Sequence, residues 1–280
     1  MASVEQGTRK PHQGFRKSIT KEPKMENASH PSLLDSSNNE MEDIFESSGV
    51  RFDGFRSRNQ VLSPQQVEQA LAPLLSDERK TRIEEVLAGR TYQIVPVVEG
   101  LVNTGNVSAV MRTAEGLGFQ PFHVIRNEAK FKKSVRTSQG AHKWLDVHLW
   151  DTTPECVSDL KKKGYQVVVT HLDDSAIPLS NIDLTIPTAL VFGNEKFGVS
   201  EEMLRGADYT AILPSPGFVQ SYNISVAAAM TLFAAHDQRT RRFGHSGDLS
   251  EEDKQRLRAD FYMRSVGHAE EVLKRHLGLL

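Results

Sequence analysis

The chain has one cysteine, Cys156, in 280 residues. A single cysteine excludes an intrachain disulfide and any cysteine-rich metal cluster. No His, Asp or Asn pattern accompanies it, so Cys156 reads as a packing residue on a helix. No apolar run approaches the ~20 residues that span a bilayer, and no apolar stretch of the secretory type opens the chain. An excess of one charge is also missing. Lys plus Arg (34) nearly balances Asp plus Glu (36), so any basic surface has to be local. Two phosphate-binding signatures are absent as well. No Gly-x-Gly-x-x-Gly follows the first strand-like run, which removes the main support for a dinucleotide-binding domain. Gly193 and Gly198 have Walker spacing, but Val199-Ser200 follows where Lys-Ser/Thr is required.

Aliphatic residues are sparse up to about Asn59, where Ser, Asn, Glu and Lys dominate. Residues 1–60 are therefore expected to form a disordered extension. Residues 1–24 lean basic, with Glu5 and Glu22 the only acids. That composition suits an organellar transit peptide or a plain tail, leaving cytoplasm, chloroplast and mitochondrion open for a soluble intracellular protein. Arg51-Phe-Asp-Gly-Phe-Arg-Ser-Arg58 interleaves arginine with aromatics, a pattern compatible with RNA contact or with a linker.

Order is predicted to begin at Ser63-Pro-Gln-Gln66, where serine, proline and glutamine make a capping-box start. A second helix is expected near Ser76, with Ile83, Val86 and Leu87 inward and Arg79, Lys80, Arg82 and Arg90 off that stripe. Residues 61–90 are thus expected to be a basic helical segment. From Gln93 onward, strand-like runs (Ile94–Val98, Phe122–Ile125, Val147–Leu149, Gln166–Thr170, Ala189–Phe192, Ala211–Leu213) alternate with helical patterns. These helices are predicted to start near Asn106, Thr153 and Ser200. The rhythm implies an α/β fold over 91–240, a mostly parallel sheet with helices on both faces. A last core helix is expected from about Ser225 to Arg239, and a helical extension over 241–280.

Three polar islands punctuate this pattern: Asn103-Thr-Gly-Asn-Val-Ser-Ala-Val-Met-Arg112, Phe192-Gly-Asn-Glu-Lys-Phe-Gly198, and Leu213-Pro-Ser-Pro-Gly-Phe-Val-Gln-Ser-Tyr-Asn-Ile-Ser225. Each ends an apolar run, where an α/β sheet places its ligand crevice. Asn106 sits at an expected N-cap, and Arg112 beside that helix start makes either a solvated charge or an anion-friendly pocket. Glu195 stands between two glycines, either anchoring a neighbouring loop or holding part of a ligand. Ser221, Asn223 and Ser225 are all capable helix caps.

In this order the three islands resemble the motifs of the SPOUT class of RNA methyltransferases, in its 2′-O-ribose (SpoU/TrmH) branch. The likeness extends over about residues 64–280. It is carried by Asn106-Val-Ser-Ala and Arg112-Thr-Ala, Thr170-His-Leu172, Gly193-x-Glu-Lys-x-Gly198 and Val219-Gln-Ser-x-Asn-x-Ser225. The wording is most similar to bacterial tRNA (guanosine-18) 2′-O-methyltransferases. The resemblance implies a C-terminal deep trefoil knot, S-adenosylmethionine as methyl donor, no metal, and a homodimer with its active site at the interface. It places Arg112, Asn106, Glu195, Ser221 and Asn223 at the reacting hydroxyl. Thr170, Leu172, Gly193, Leu213 and Tyr222 would line the cofactor pocket, Tyr222 standing where leucine is usual.

The implied substrate is tRNA, with rRNA or another tRNA position as the alternative and a non-catalytic RNA-binding relative as a weaker one. Candidate RNA contacts are Arg79, Lys80 and Arg82 on the basic helix. A second basic stretch supplies Lys130, Lys132, Lys133 and Arg136, with Arg126 and Lys143 at its ends.

Overall fold

The computed structural model describes residues 52–57, 60–100, 104–126, 140–173, 175–219 and 221–279. Readings that fall on residues 1–51 and 127–139 lie outside the described residues. The first described element is a hairpin, β1 (Phe55–Ser57) antiparallel to β2 (Gln60–Leu62). Helix α1 (Pro64–Leu71) follows at the expected capping box. Ser63 Oγ accepts from the Gln66 amide at 3.3 Å, and Gln66 Oε1 accepts from the Ser63 amide at 2.9 Å. Helix α2 (Asp77–Ala88) starts at Ser76, whose side chain accepts from the Arg79 amide.

The α/β region then runs β3 (Ile94–Glu99), α3 (Thr104–Gly116), β4 (Pro121–Ile125), β5 (Asp146–Trp150), α4 (Thr153–Lys162) and β6 (Gln166–Thr170). It continues through β7 (Ile177–Pro178), β8 (Thr188–Phe192), α5 (Glu201–Gly206), β9 (Tyr209–Ile212) and α6 (Ile224–Phe243). Helices α7 (Glu251–Ser265) and α8 (Ala269–His276) complete it. Seven strands form one sheet in the order β5-β4-β3-β8-β6-β9-β7, and every paired neighbour is parallel. Strands β3, β4 and β8 are buried along their whole length. That suits their near-continuous apolar sequences, because helices cover a parallel sheet on both faces.

One face packs Val107, Val110 and Met111 of α3 with Ala228, Leu232 and Ala235 of α6. The other packs Cys156, Val157 and Leu160 of α4 with Met203 of α5. Burial pushes the Cys156 thiol above its ordinary pKa, which fits packing and opposes a nucleophilic role.

A third core corrects the expected layout at its edges. Val67 and Leu71 of α1 and Ile83 and Leu87 of α2 bury together with Leu257 and Phe261 of α7 and Leu273 of α8. The segments 61–90 and 241–280 therefore share one apolar interior. Phe55 is buried in it and Phe52 packs against it, so residues 52–57 do not belong to a disordered extension, and these aromatics serve packing. Arg90, placed off the apolar stripe of α2 by the sequence, is 1% exposed. Its guanidinium donates to Glu115 Oε1 at 2.8 Å and lies over the Phe261 ring. Burial pulls its pKa down, and the Glu115 carboxylate opposes that shift. No described helix is long and apolar enough to cross a membrane.

Candidate active site

The loops after β6, β8 and β9 meet at the C-terminal edge of the sheet, where the strands' polar termini face a crevice. Together they enclose a cavity of about 520 Å³, within the size range of small-molecule sites. Thr170 and Leu172 line it from the first loop, Glu195 and Phe197 from the second, and Leu213, Ser221, Tyr222 and Asn223 from the third. Four of the five expected cofactor residues and three of the five expected catalytic residues thus share one space.

Each loop is shaped by its own hydrogen bonds. Asn194 folds the second loop around its side chain: Oδ1 accepts from the amides of Lys196 at 2.8 Å and Phe197 at 3.1 Å. Backbone bonds between Asn194 and Gly198 in both directions close the turn. Gly193 does not line the cavity. It lies against this turn, where an added Cβ would stand 2.4 Å from the Gly198 carbonyl carbon, so glycine is required for the close approach. In the third loop, the Tyr222 hydroxyl donates to the Pro214 carbonyl at 3.0 Å, bridging the loop's two ends. Leucine could not make this bond. Asn223 is the N-cap of α6, and its Oδ1 accepts from the Ser225 amide at 2.9 Å.

The first island enters from the side. Helix α3 already begins at Thr104, so Asn106 lies inside its first turn and is not the N-cap expected. Its side-chain amide is left to donate to Glu195 Oε1, joining the first and second islands. Arg112 falls elsewhere. It is exposed, makes no side-chain hydrogen bond or ion pair with the described residues, and is not among those lining the cavity.

Sequence reasoning passed over two residues here. His171 lines the cavity between Thr170 and Leu172. Phe197 also lines it, yet is 77% exposed, an aromatic standing at the mouth. Its position between Lys196 and Gly198 in a polar turn was the available signal.

Among the described residues, the cavity lining contains no lysine or arginine and one carboxylate, Glu195. Such a lining accepts a compact cation with an apolar body, and it would repel no positive charge.

The candidate RNA contacts are less free than their sequence suggests. Lys80 pairs with Asp77 at 3.1 Å and Arg82 with Glu85 at 3.0 Å. Arg79 donates to Ser265 Oγ at 3.0 Å and sits 5.1 Å from the centre of the Trp144 ring. Trp144 adjoins Lys143, so α2 and the end of the second basic stretch meet there. Lys130, Lys132, Lys133 and Arg136 lie outside the described residues.

Residues 93–233 match the sequence profile of the SpoU rRNA methylase family. The chain is 35% identical to a tRNA (guanosine(18)-2′-O)-methyltransferase of Borreliella burgdorferi, over 70% of this chain and 89% of that protein. It is 38% identical to the protein of the same name from Thermus thermophilus, over 59% of this chain and 86% of that one. Among solved structures, the A. aeolicus TrmH/SpoU tRNA modifying enzyme superposes with a TM-score of 0.62 at 32% identity, over 68% of this chain and 98% of that one. With the three islands converging on one crevice of a parallel sheet, these likenesses show that the chain belongs to the SpoU rRNA methylase family.

Proposed function

We propose that this chain transfers a methyl group from S-adenosylmethionine to the 2′-hydroxyl of guanosine 18 in tRNA. The observation that carries the reading is the Asn106–Glu195 pair beside a cavity built by three loops. The cavity fits the donor: its apolar walls and the Glu195 carboxylate suit a cationic sulfonium, and no lysine or arginine among the described lining residues competes with it. When bound, the donor supplies an electrophilic methyl group and leaves as a neutral thioether.

The protein's own task is placement and charge. Holding the ribose oxygen in line with the methyl carbon supplies much of the acceleration. Asn106, Glu195, Ser221 and Asn223 surround the hydroxyl, whose oxygen bonds to the methyl carbon while its proton passes out to solvent water. Arg112, a guanidinium, stabilises the forming alkoxide and the adjacent phosphate. Thr170, Leu172, Leu213 and Tyr222 hold the donor, with Gly193 shaping the turn above it.

Arg112 lies outside the cavity of its own chain, so this reading requires a homodimer in which the partner's Arg112 completes the site. An exposed apolar stripe on α6 supports that arrangement. Val226, Met230 and Phe233 recur at i, i+4 and i+7, and Phe233 is 58% exposed. The reading also includes a deep trefoil knot. Its support is the interleaved strand order, with β8 between β3 and β6, and the one cavity lined by Glu195 and Phe197 together with Leu213, Tyr222 and Asn223. Such threading is rare enough that the strand pattern alone would not suggest it.

For the substrate, the named relatives favour tRNA, and the basic segments meeting at Trp144 supply a surface for its backbone. The test is methyl transfer from labelled S-adenosylmethionine to a tRNA transcript, followed by mapping of the modified ribose. Methylation at guanosine 18, lost when that nucleotide is 2′-deoxy, is expected. Transfer to rRNA with none to tRNA would overturn the substrate assignment.

A further inference from the structure

We infer that Glu99 is a positioning residue for Glu195, acting through the loop from Gly193 to Ser200. The inference rests on the methyl-transfer reading above and names a residue outside the cavity that sets the geometry within it.

Glu99 is the one acid in the run Ile94–Glu99, and it is 1% exposed. A buried carboxylate is costly unless its oxygens are hydrogen-bonded. Glu99 meets that condition by gathering donors from two other elements. Oε1 accepts from Thr153 Oγ1 at 2.5 Å and from Ser200 Oγ at 2.7 Å, while Oε2 accepts from the Ser200 amide at 2.9 Å. Ser200 Oγ in turn accepts from the Met203 amide at 3.1 Å, capping α5. The far end of the Glu195 loop is thereby pinned to the tip of β3.

The near end is pinned to the next residue. Asn194 Nδ2 donates to the Gly100 carbonyl at 2.8 Å. Glu195 lies between these two tethers, and its other partner, Asn106, sits on the helix that β3 leads into. The strand end Glu99-Gly100 therefore holds both ends of the Glu195 turn, and with it the carboxylate to which Asn106 donates. An apolar side chain at residue 99 would fill the same core and leave the Ser200 amide and two hydroxyls without their acceptor.

The test is a double-mutant cycle in the full chain, read by single-turnover methyl transfer and by amide hydrogen exchange. Glu99→Ala is expected to slow transfer about 100-fold, the scale of a misplacement near 1 Å, and to raise exchange across residues 193–200. In a Glu195→Ala background the same change should slow transfer by less than about 2-fold, because the positioned group is gone. Glu99→Gln keeps one acceptor and should fall between; it also serves if the alanine variant does not fold. Additive losses, or unchanged exchange across 193–200, overturn the inference and leave the methyl-transfer reading intact. A wild-type chain that transfers no methyl group overturns that reading, and the exchange arm then decides on its own whether Glu99 holds the loop.

Discussion

Asn106 and Glu195 stand 89 residues apart in the chain, and the amide of one donates to the carboxylate of the other beside the cavity. The contact ties the first turn of α3 to the turn after β8. A ligand in the cavity therefore meets a turn already held from behind by α3, and little reorganisation is left for the moment of reaction.

Arg112→Ala should all but abolish methyl transfer, slowing it by about 10²–10³-fold, the scale of one removed transition-state donor. Donor affinity, measured by calorimetry with S-adenosylhomocysteine, should change little because Arg112 does not line the cavity. Loss of donor binding would remove Arg112 from the reaction.

Phe233→Glu, alone or with Val226→Glu, should halve the mass seen by sedimentation and remove transfer activity, since each charge enters the exposed stripe of α6. A variant that stays dimeric, or a wild-type monomer with full activity, would defeat the proposed assembly.

Tyr222→Phe removes the hydroxyl that reaches the Pro214 carbonyl and leaves the ring in place. The expected cost is about 1 kcal/mol in urea unfolding. Donor affinity should weaken several-fold with it, since both ends of that loop shape the cavity. An unchanged affinity would assign the bond to stability alone.

Stability should fall on acidification through His123. Burial, then the neighbouring His148 and Lys163, lower its pKa to about 3. An unfolded histidine titrates near 6.5. Between those values the unfolded chain binds a proton that the folded chain refuses, so stability is present above about pH 6.5 and lost as pH falls. From pH 7 to pH 5 the loss from His123 alone is about 2 kcal/mol. His142 and His148, whose pKa values burial also lowers, act in the same direction, while Asp260, raised by burial, opposes them. Urea midpoints at the two pH values should converge in His123→Gln, whose side chain can still accept the Trp150 indole N–H that His123 takes at 3.2 Å.

Much of the frame was legible because strong local signals carry it. The capping box at Ser63, the valine-rich strands and the serine before α5 all appear where their patterns place them. The helix start at Thr104 was not, since Asn106 is a good cap by residue type and only its bond to Glu195 reveals another use. Strand β7 has two residues, too few for any periodicity to register. Phe55 was misjudged because it lies in a polar stretch and its core is assembled from distant segments, and the burial of Arg90 beside Phe261 of α7 has no signal in any local window. In the site, the polar islands could be found from composition, but Glu99 could not. It ends an apolar strand, and its donors come from Thr153 and Ser200, distant in sequence.

The helical core of α1, α2, α7 and α8 has a consequence for biosynthesis. Arg79 and Ser265, which touch within it, are separated by 186 residues. Translation at ~5–20 residues per second puts roughly ten to forty seconds between the two. Through that interval the apolar stripes of α1 and α2 lack the cover that α7 and α8 provide, so a nascent polypeptide stalled before α7 is the species most exposed to holdase chaperones and to aggregation.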